Sequence, residues 1–242
     1  MDSTPRRSPF TSASLRTSLL RDLPGRAETP VPGPFPGRWP TAVSLAAAPP
    51  LLLAGELLKA PHHFFFPDQI AAYADDPVQI AWGYGLWFAG LLFLVPAFAG
   101  LAASIAGTRP ALGTATGTVC LLGLMVAAFF EGANFASLQL VSSHSPELAT
   151  AFVEFLYPRV HVVYALVWAP NLGWVLLAAG LLATRCVGPV RFLCVLSMAL
   201  HANGVLKGFS VAGTVLDVLL CVAFVTLAVQ VLRRRERAPH TP

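Results

Sequence analysis

The stretch LGTATGTVCLLGLMVAAFFEGANFASLQL, Leu112 to Leu140, carries a single charged side chain, Glu131, in an otherwise apolar and hydroxyl-bearing run. About 20 consecutive apolar residues are enough to cross the hydrocarbon core of a bilayer as a helix. Backbone groups in hydrocarbon have no water to bond, so a spanning segment must satisfy them as a helix or in a closed barrel. Barrel strands alternate apolar and polar positions with period two, and this run does not. It therefore reads as a transmembrane helix. Glu131 and Asn134 fall on one face of it, and a carboxylate at that depth demands a reason.

The rest of the chain repeats the pattern. Only 12% of the 242 residues are charged and the mean hydropathy is +0.65, whereas soluble domains carry about 25% charged residues. Five further apolar runs predict spans over 40–58, 80–106, 160–183, 190–206 and 209–232, the first containing the kink-prone pair Pro49-Pro50. The last two share one apolar run, broken only around Asn203 to Gly208. The fold class is thus an all-α, polytopic transmembrane helical bundle of about six spans, and residues 39–232 form its membrane domain.

Residues 1–38, rich in Pro, Ser, Thr and Arg, lack the apolar surface needed to order a segment and predict a disordered basic tail. The Arg6-Arg7 pair has no apolar core close behind it, which argues against a twin-arginine signal. Residues 233–242 form a second basic tail. With the N-terminus inside, Arg6, Arg7, Arg16, Arg21, Arg26, Arg38, Arg109, Arg185, Arg191, Arg233, Arg234, Arg235 and Arg237 all face the cytoplasm. Lys59, Arg159 and Lys207 are the only other cations and fall outside, beside Asp68, Asp75, Asp76, Glu147 and Glu154. This bias predicts N-in, C-in topology in the cell membrane, with long outer loops at 59–79 and 141–159.

The net charge of +4 follows the membrane edges and does not point to nucleic acid. Cys120, Cys186, Cys194 and Cys221 lie in or beside apolar runs without a CxxC pair, so neither a disulfide framework nor a zinc site is expected. Walker loops, dinucleotide GxGxxG, HExxH and serine-nucleophile elbows are absent, and no cofactor is expected. The expected partners are the lipid bilayer and a small hydrophobic or ionic ligand.

Ionisable residues inside a span cost about 2.5–3.5 kcal/mol and usually face a bundle interior or cavity. Glu56, Glu131, Asp217 and His201 all fall in the outer halves of their spans. His161, Tyr164, Trp168 and Asn171 recur at helical spacing in the fourth span, and Ser210, Thr214, Asp217 and Cys221 do so in the sixth. An outward-facing cavity lined by Glu131, Asn134, His161, Trp168, Asn171, His201 and Asp217 is the resulting expectation. The bland alternative is that these polar groups are interhelical glue, that Glu56 snorkels or pairs with Lys59, and that Trp82, Tyr84 and Trp87 are interfacial aromatics. The loop HHFFFPDQ, His62 to Gln69, reads as an aromatic anchor, since neighbouring histidines diverge and chelate poorly. The small-residue pairs Gly113/Gly117 and Gly204/Gly208 predict close helix contacts.

The segments DDPVQIAWGYGLWFAGLLFLVPAFAGLAASI, TRPALGTATGTVCLLGLM and PNLGWVLLAAGLLATRCVGPVRFLCVL resemble uncharacterised six-helix integral membrane proteins of high-GC Gram-positive bacteria. The resemblance covers about residues 45–232. It implies a multi-pass bundle, no established activity and no site residues.

Three functions remain open at this point. The first is binding, sensing or transport of a small ligand or ion through the outer cavity. The second is a membrane-embedded enzyme such as an isoprenoid cyclase, with Glu131 and Asp217 as proton-donating acids in an apolar site. The third is a structural or partner-binding bundle.

Overall fold

The computed structural model describes residues 36–62, 68–201 and 210–233. Among them every regular element is helical: α1 (Arg38–Lys59), α2 (Asp68–Asp75), α3 (Pro77–Ala106), α4 (Pro110–Ser143), α5 (Pro146–Leu156), a 3₁₀ turn (Tyr157–Arg159), α6 (His161–Ala165), α7 (Ala169–Ala183), α8 (Pro189–His201) and α9 (Ser210–Arg233). Four of these, α1, α3, α4 and α9, are long and apolar enough to cross a membrane, while α7 and α8 are shorter apolar helices. The expected tails, the turn at 203–208 and the phenylalanines of the outer loop lie in whole or nearly so outside the described residues.

Local signals set the helix starts. Asp76 caps α3, its carboxylate accepting from the Gln79 amide at 3.1 Å, and Pro77 supplies a first-turn φ without needing an intrahelical donor. Pro110 does the same for α4. Pro170 has a further consequence. The fourth expected span, 160–183, is not one helix: α6 ends at Ala165, a turn covers 166–168, and α7 begins at Ala169. A proline disfavours helical backbone in the residue before it and lacks an amide to continue the ladder, so the start of a new helix beside Pro170 follows from its chemistry. The segments 59–79 and 141–159, expected as outer loops, instead carry α2 and α5.

Six helices close into a ring in the order α1, α3, α4, α7, α8, α9 and back to α1. Neighbours run antiparallel and meet through small residues. A Cβ added at Gly55 of α1 would stand 2.6 Å from the Gly83 carbonyl oxygen and 2.8 Å from the Trp87 nitrogen of α3. One at Gly123 of α4 would meet the Pro170 backbone of α7 at 2.8 Å. Gly113 and Gly117 lie against Ala106 and Ala102 of α3, a close contact of the kind their spacing announces. In lipid the helices gain nothing from hiding apolar surface, so contact distance carries the association.

Leu45, Leu94, Ile105, Leu177, Leu181, Leu220 and Phe224 fill the ring interior, where Trp174 packs edge-on against Phe98 with ring centroids 4.9 Å apart. The outside is equally apolar: Leu92, Phe93, Met125, Val215, Val222 and Val225 are all exposed. A surface of that kind suits a bilayer rather than water.

The two ends differ. Arg38, Arg109, Arg185, Arg191 and Arg233 gather at one end of the ring, where the Arg38 guanidinium donates to the Leu232 carbonyl and ties α1 to α9. At the other end α2 and α5 sit over α3 and α4 and form a small second core of Ile70, Tyr73, Ile80, Tyr84, Leu138, Ala149 and Val153.

Candidate functional site

The end covered by α2 and α5 holds a buried charged cluster. Lys59 closes α1 yet is only 6% exposed. Its Nζ lies 3.6 Å from Oε2 of Glu56, one turn earlier. It also stands 5.0 Å from the ring centroids of both Tyr84 and Trp87 on α3. Lys59 is thus held between two aromatic faces and a carboxylate, the environment in which a desolvated ammonium is best compensated. Asp217 of α9 is fully buried, and the charges of both Glu56 and Lys59 reach it. Three ionisable groups from two adjacent helices therefore share one dry region.

The sequence pattern explains the arrangement. Residues 56 and 59 are one turn apart, as are 84 and 87, so each pair projects from a single helical face. The close approach of Gly55 and Gly83 brings those two faces together, and an added Cβ at Gly83 would stand 2.7 Å from the Lys59 stem. Gln79 fixes the junction from the side, its Nε2 donating to the Leu58 carbonyl at 2.8 Å.

Tyr84 links this cluster to the layer above. Gln69 of α2, 1% exposed, donates from Nε2 to the hydroxyls of Tyr73 at 2.5 Å and Tyr84 at 2.6 Å, and the two hydroxyls are 2.8 Å apart. Trp87 links it to the space below. That ring also walls an apolar cavity of about 40 Å³ at the centre of the bundle, with Leu91, Leu94, Phe98, Cys120, Pro170, Trp174 and Met198 among its other lining residues.

The residues singled out from the sequence are distributed as follows. Asp217 joins the cluster. Glu131 and Asn134 are half-buried on α4, one oxygen of Glu131 being out of solvent reach. Asn171 donates to the Ala199 carbonyl at 2.5 Å and so ties α7 to α8. His161 on α6 and Trp168 in the turn before α7 are exposed on the surface, and the break between those helices removes the single polar stripe that would have joined them to Asn171. The His201 side chain lies outside the described residues. Neither Glu131 nor Asp217 lines the apolar cavity. Of the two readings offered for Glu56, snorkelling outward or pairing with Lys59, the structure has the pair, and Lys59 is buried where Tyr84, Trp87 and Glu56 compensate its charge.

Among the described residues no group of three or more His, Cys, Asp or Glu side chains is placed to hold a metal ion. No protein-family model matches the chain, and no curated protein or solved structure matches it either.

Proposed function

We propose that this chain is a six-span membrane protein, with both termini on the cytoplasmic side, that binds and passes a small ligand or ion at the outer-side cluster of Glu56, Lys59 and Asp217. The cations support the orientation: the described arginines at the α1 start and α9 end share one end of the ring, and the acids of α2 and α5 lie at the other. The shorter α7 and α8 complete the ring between α4 and α9, which supports counting them as spans.

One observation carries the functional reading, the burial of Lys59 with two carboxylates at membrane depth. Helix association needs no such group. Replacing a buried ion pair by apolar residues is often neutral or stabilising, so burying one in a span makes most sense as a device for handling charge. The apolar cavity beneath Trp87 gives a ligand's uncharged part a place next to the charged one. An isoprenoid cyclase would need Glu131 and Asp217 on one pocket, and the absence of both from the cavity lining gives that reading no support.

The test is a thermal-shift panel of small organic cations, anions and zwitterions on the purified protein and on the neutral variant E56Q/K59M/D217N. One chemical class should raise the melting temperature of the native protein with increasing concentration and leave the neutral variant unmoved. Equal shifts in both proteins, or none in either, would favour a purely structural bundle.

A further inference from the structure

We propose that the arginine end of the ring is a docking surface for anionic phospholipid, with Arg38 and Arg233, at the start of α1 and the end of α9, holding the lipid phosphate. The inference is independent of the charged cluster at the opposite end. It begins with where the charges lie. Arg109 precedes α4, Arg185 lies in the turn between α7 and α8, and Arg233 ends α9, and all three are exposed. Arg38, half-buried, opens α1. The described acids stand toward the other end. On α9, Asp217 is roughly 24 Å from Arg233 at about 1.5 Å per residue, and Glu56 and Glu131 are still farther along their helices from Arg38 and Arg109. Exposed charges are screened over about 8 Å at physiological salt. The described acids therefore leave this end positive, and a surface of one sign attracts the other.

The position of the charge selects the partner. Trp39, beside Arg38, is 64% exposed, and the Arg38 guanidinium carbon lies 5.8 Å from its ring centroid. An exposed tryptophan in the first turn of a span sits at headgroup level. Behind it the outward face of α1 continues as Val43, and behind Arg233 that of α9 continues as Val229, Val225 and Val222, all exposed at helical spacing. A soluble polyanion would meet the arginines and leave those valines bare. A phospholipid covers both, with its chains on the valines and its phosphate on the guanidinium groups. Phosphatidylcholine carries a cation beside its own phosphate, so the arginines favour a lipid whose phosphate is uncompensated.

Two local details fit this use. The Arg38 guanidinium donates to the carbonyl of Leu232, the residue before Arg233, and so is fixed across the junction of α1 and α9 beside the second cation. That bond occupies only part of a planar fork of five donors, and such a fork matches phosphate oxygens. In the turn between α7 and α8, Arg185 holds a φ of 55°, a left-handed backbone that glycine adopts more cheaply. The chain thus keeps a cation at this end against its local conformational preference.

Native mass spectrometry of the full chain in detergent micelles, titrated with dioleoyl phosphatidylglycerol or dioleoyl phosphatidylcholine, gives an apparent Kd for each lipid and tests the proposal. The native protein should bind phosphatidylglycerol the more tightly. A basic side chain near an anionic surface is worth about a fivefold change in affinity. R233Q should therefore weaken phosphatidylglycerol about fivefold and R38Q/R233Q about 25-fold, with phosphatidylcholine unmoved. R159Q, at the opposite end, should change neither. Because Arg38 also ties α1 to α9, R233Q alone decides the matter if the double variant does not fold. A native protein without the preference, a preference that R233Q leaves intact, or an equal loss in R159Q overturns the proposal. So does a preference lost only in R234Q/R235Q/R237Q, which would place the lipid on the chain beyond α9. Inorganic phosphate equimolar with the lipid should not compete, and if it does the surface is a free-anion site rather than a lipid one.

Discussion

Replacing Lys59 by Met keeps the length of the buried stem and deletes its charge. At 3.6 Å the Glu56 pair is worth roughly 4.6 kcal/mol of gross attraction at an effective dielectric of 20. The aromatic faces, each 5.0 Å from Nζ, add about 1–2 kcal/mol apiece for a desolvated ammonium. The cost of taking the ammonium and carboxylate out of water is several kcal/mol per ion, so the intact cluster nets close to zero. The substitution, however, removes only one side of that balance. Glu56 stays largely buried without its base, and breaking a buried pair in this way costs about 3–5 kcal/mol. The triple change E56Q/K59M/D217N removes both sides and should lie within about 1 kcal/mol of the native protein, since exchanging buried ions for neutral groups of similar volume is often neutral. Reversible unfolding in mixed micelles, followed by tryptophan fluorescence at pH 7, measures both. If K59M unfolds within about 1 kcal/mol of the native protein, or if the triple variant is as unstable as K59M, the charge balance described for this cluster is wrong.

Other perturbations reach different parts of the structure. Gly55→Ala places a Cβ 2.6 Å from the Gly83 carbonyl oxygen and should cost about 1–3 kcal/mol by overpacking α1 against α3, read in the same unfolding assay. Tyr84→Phe keeps the ring under Lys59 and deletes the hydroxyl that accepts from Gln69. It should cost about 1 kcal/mol and accelerate amide exchange in α2 while leaving α1 unchanged. Leu177→Ala, at a fully buried position of the ring core, should cost about 2–5 kcal/mol. At the surface, the Ser145 hydroxyl, and after it the backbone amide of Glu147, holds the Glu147 carboxyl below its ordinary range. A folded value below the unfolded one stabilises the α5 start above the unfolded value, and that contribution is lost as pH falls through the folded value. Amide exchange in the first turn of α5 should therefore quicken on acidification through the carboxylate range, and E147Q should remove that dependence.

Much of the architecture was legible in the sequence because lipid leaves few choices. A run such as 112–140 has to be a helix, and α4 covers all of it. The break in the fourth span was missed because apolar composition alone set its bounds, although Pro170 announced it. α2 and α5 were missed because short helices outside the main runs are held by tertiary contacts, here the core around Tyr73 and Val153. At the site, single-helix periodicity placed Asp217 on a polar face, but it could not report which helix lies opposite. The Glu56–Lys59 pair was one of two readings open from the sequence, and Tyr84 and Trp87 looked like interfacial aromatics. Only the closeness of Gly55 to Gly83 turns Lys59, Tyr84 and Trp87 toward one another. The one available hint was the coincidence of two one-turn pairs, 56/59 and 84/87, each with a glycine immediately before its first member.

The most direct test of the account is the reactivity of the Lys59 amine. In K207R, Lys59 is the sole lysine of the chain, and peptide mapping after treatment with a small water-soluble acylating reagent reports its accessibility. Lys59 should remain unmodified in the folded protein in nanodiscs and become acylated once the protein is denatured. Acylation of the folded protein at the denatured rate would place that ammonium in water and contradict the buried cluster on which the proposed function stands.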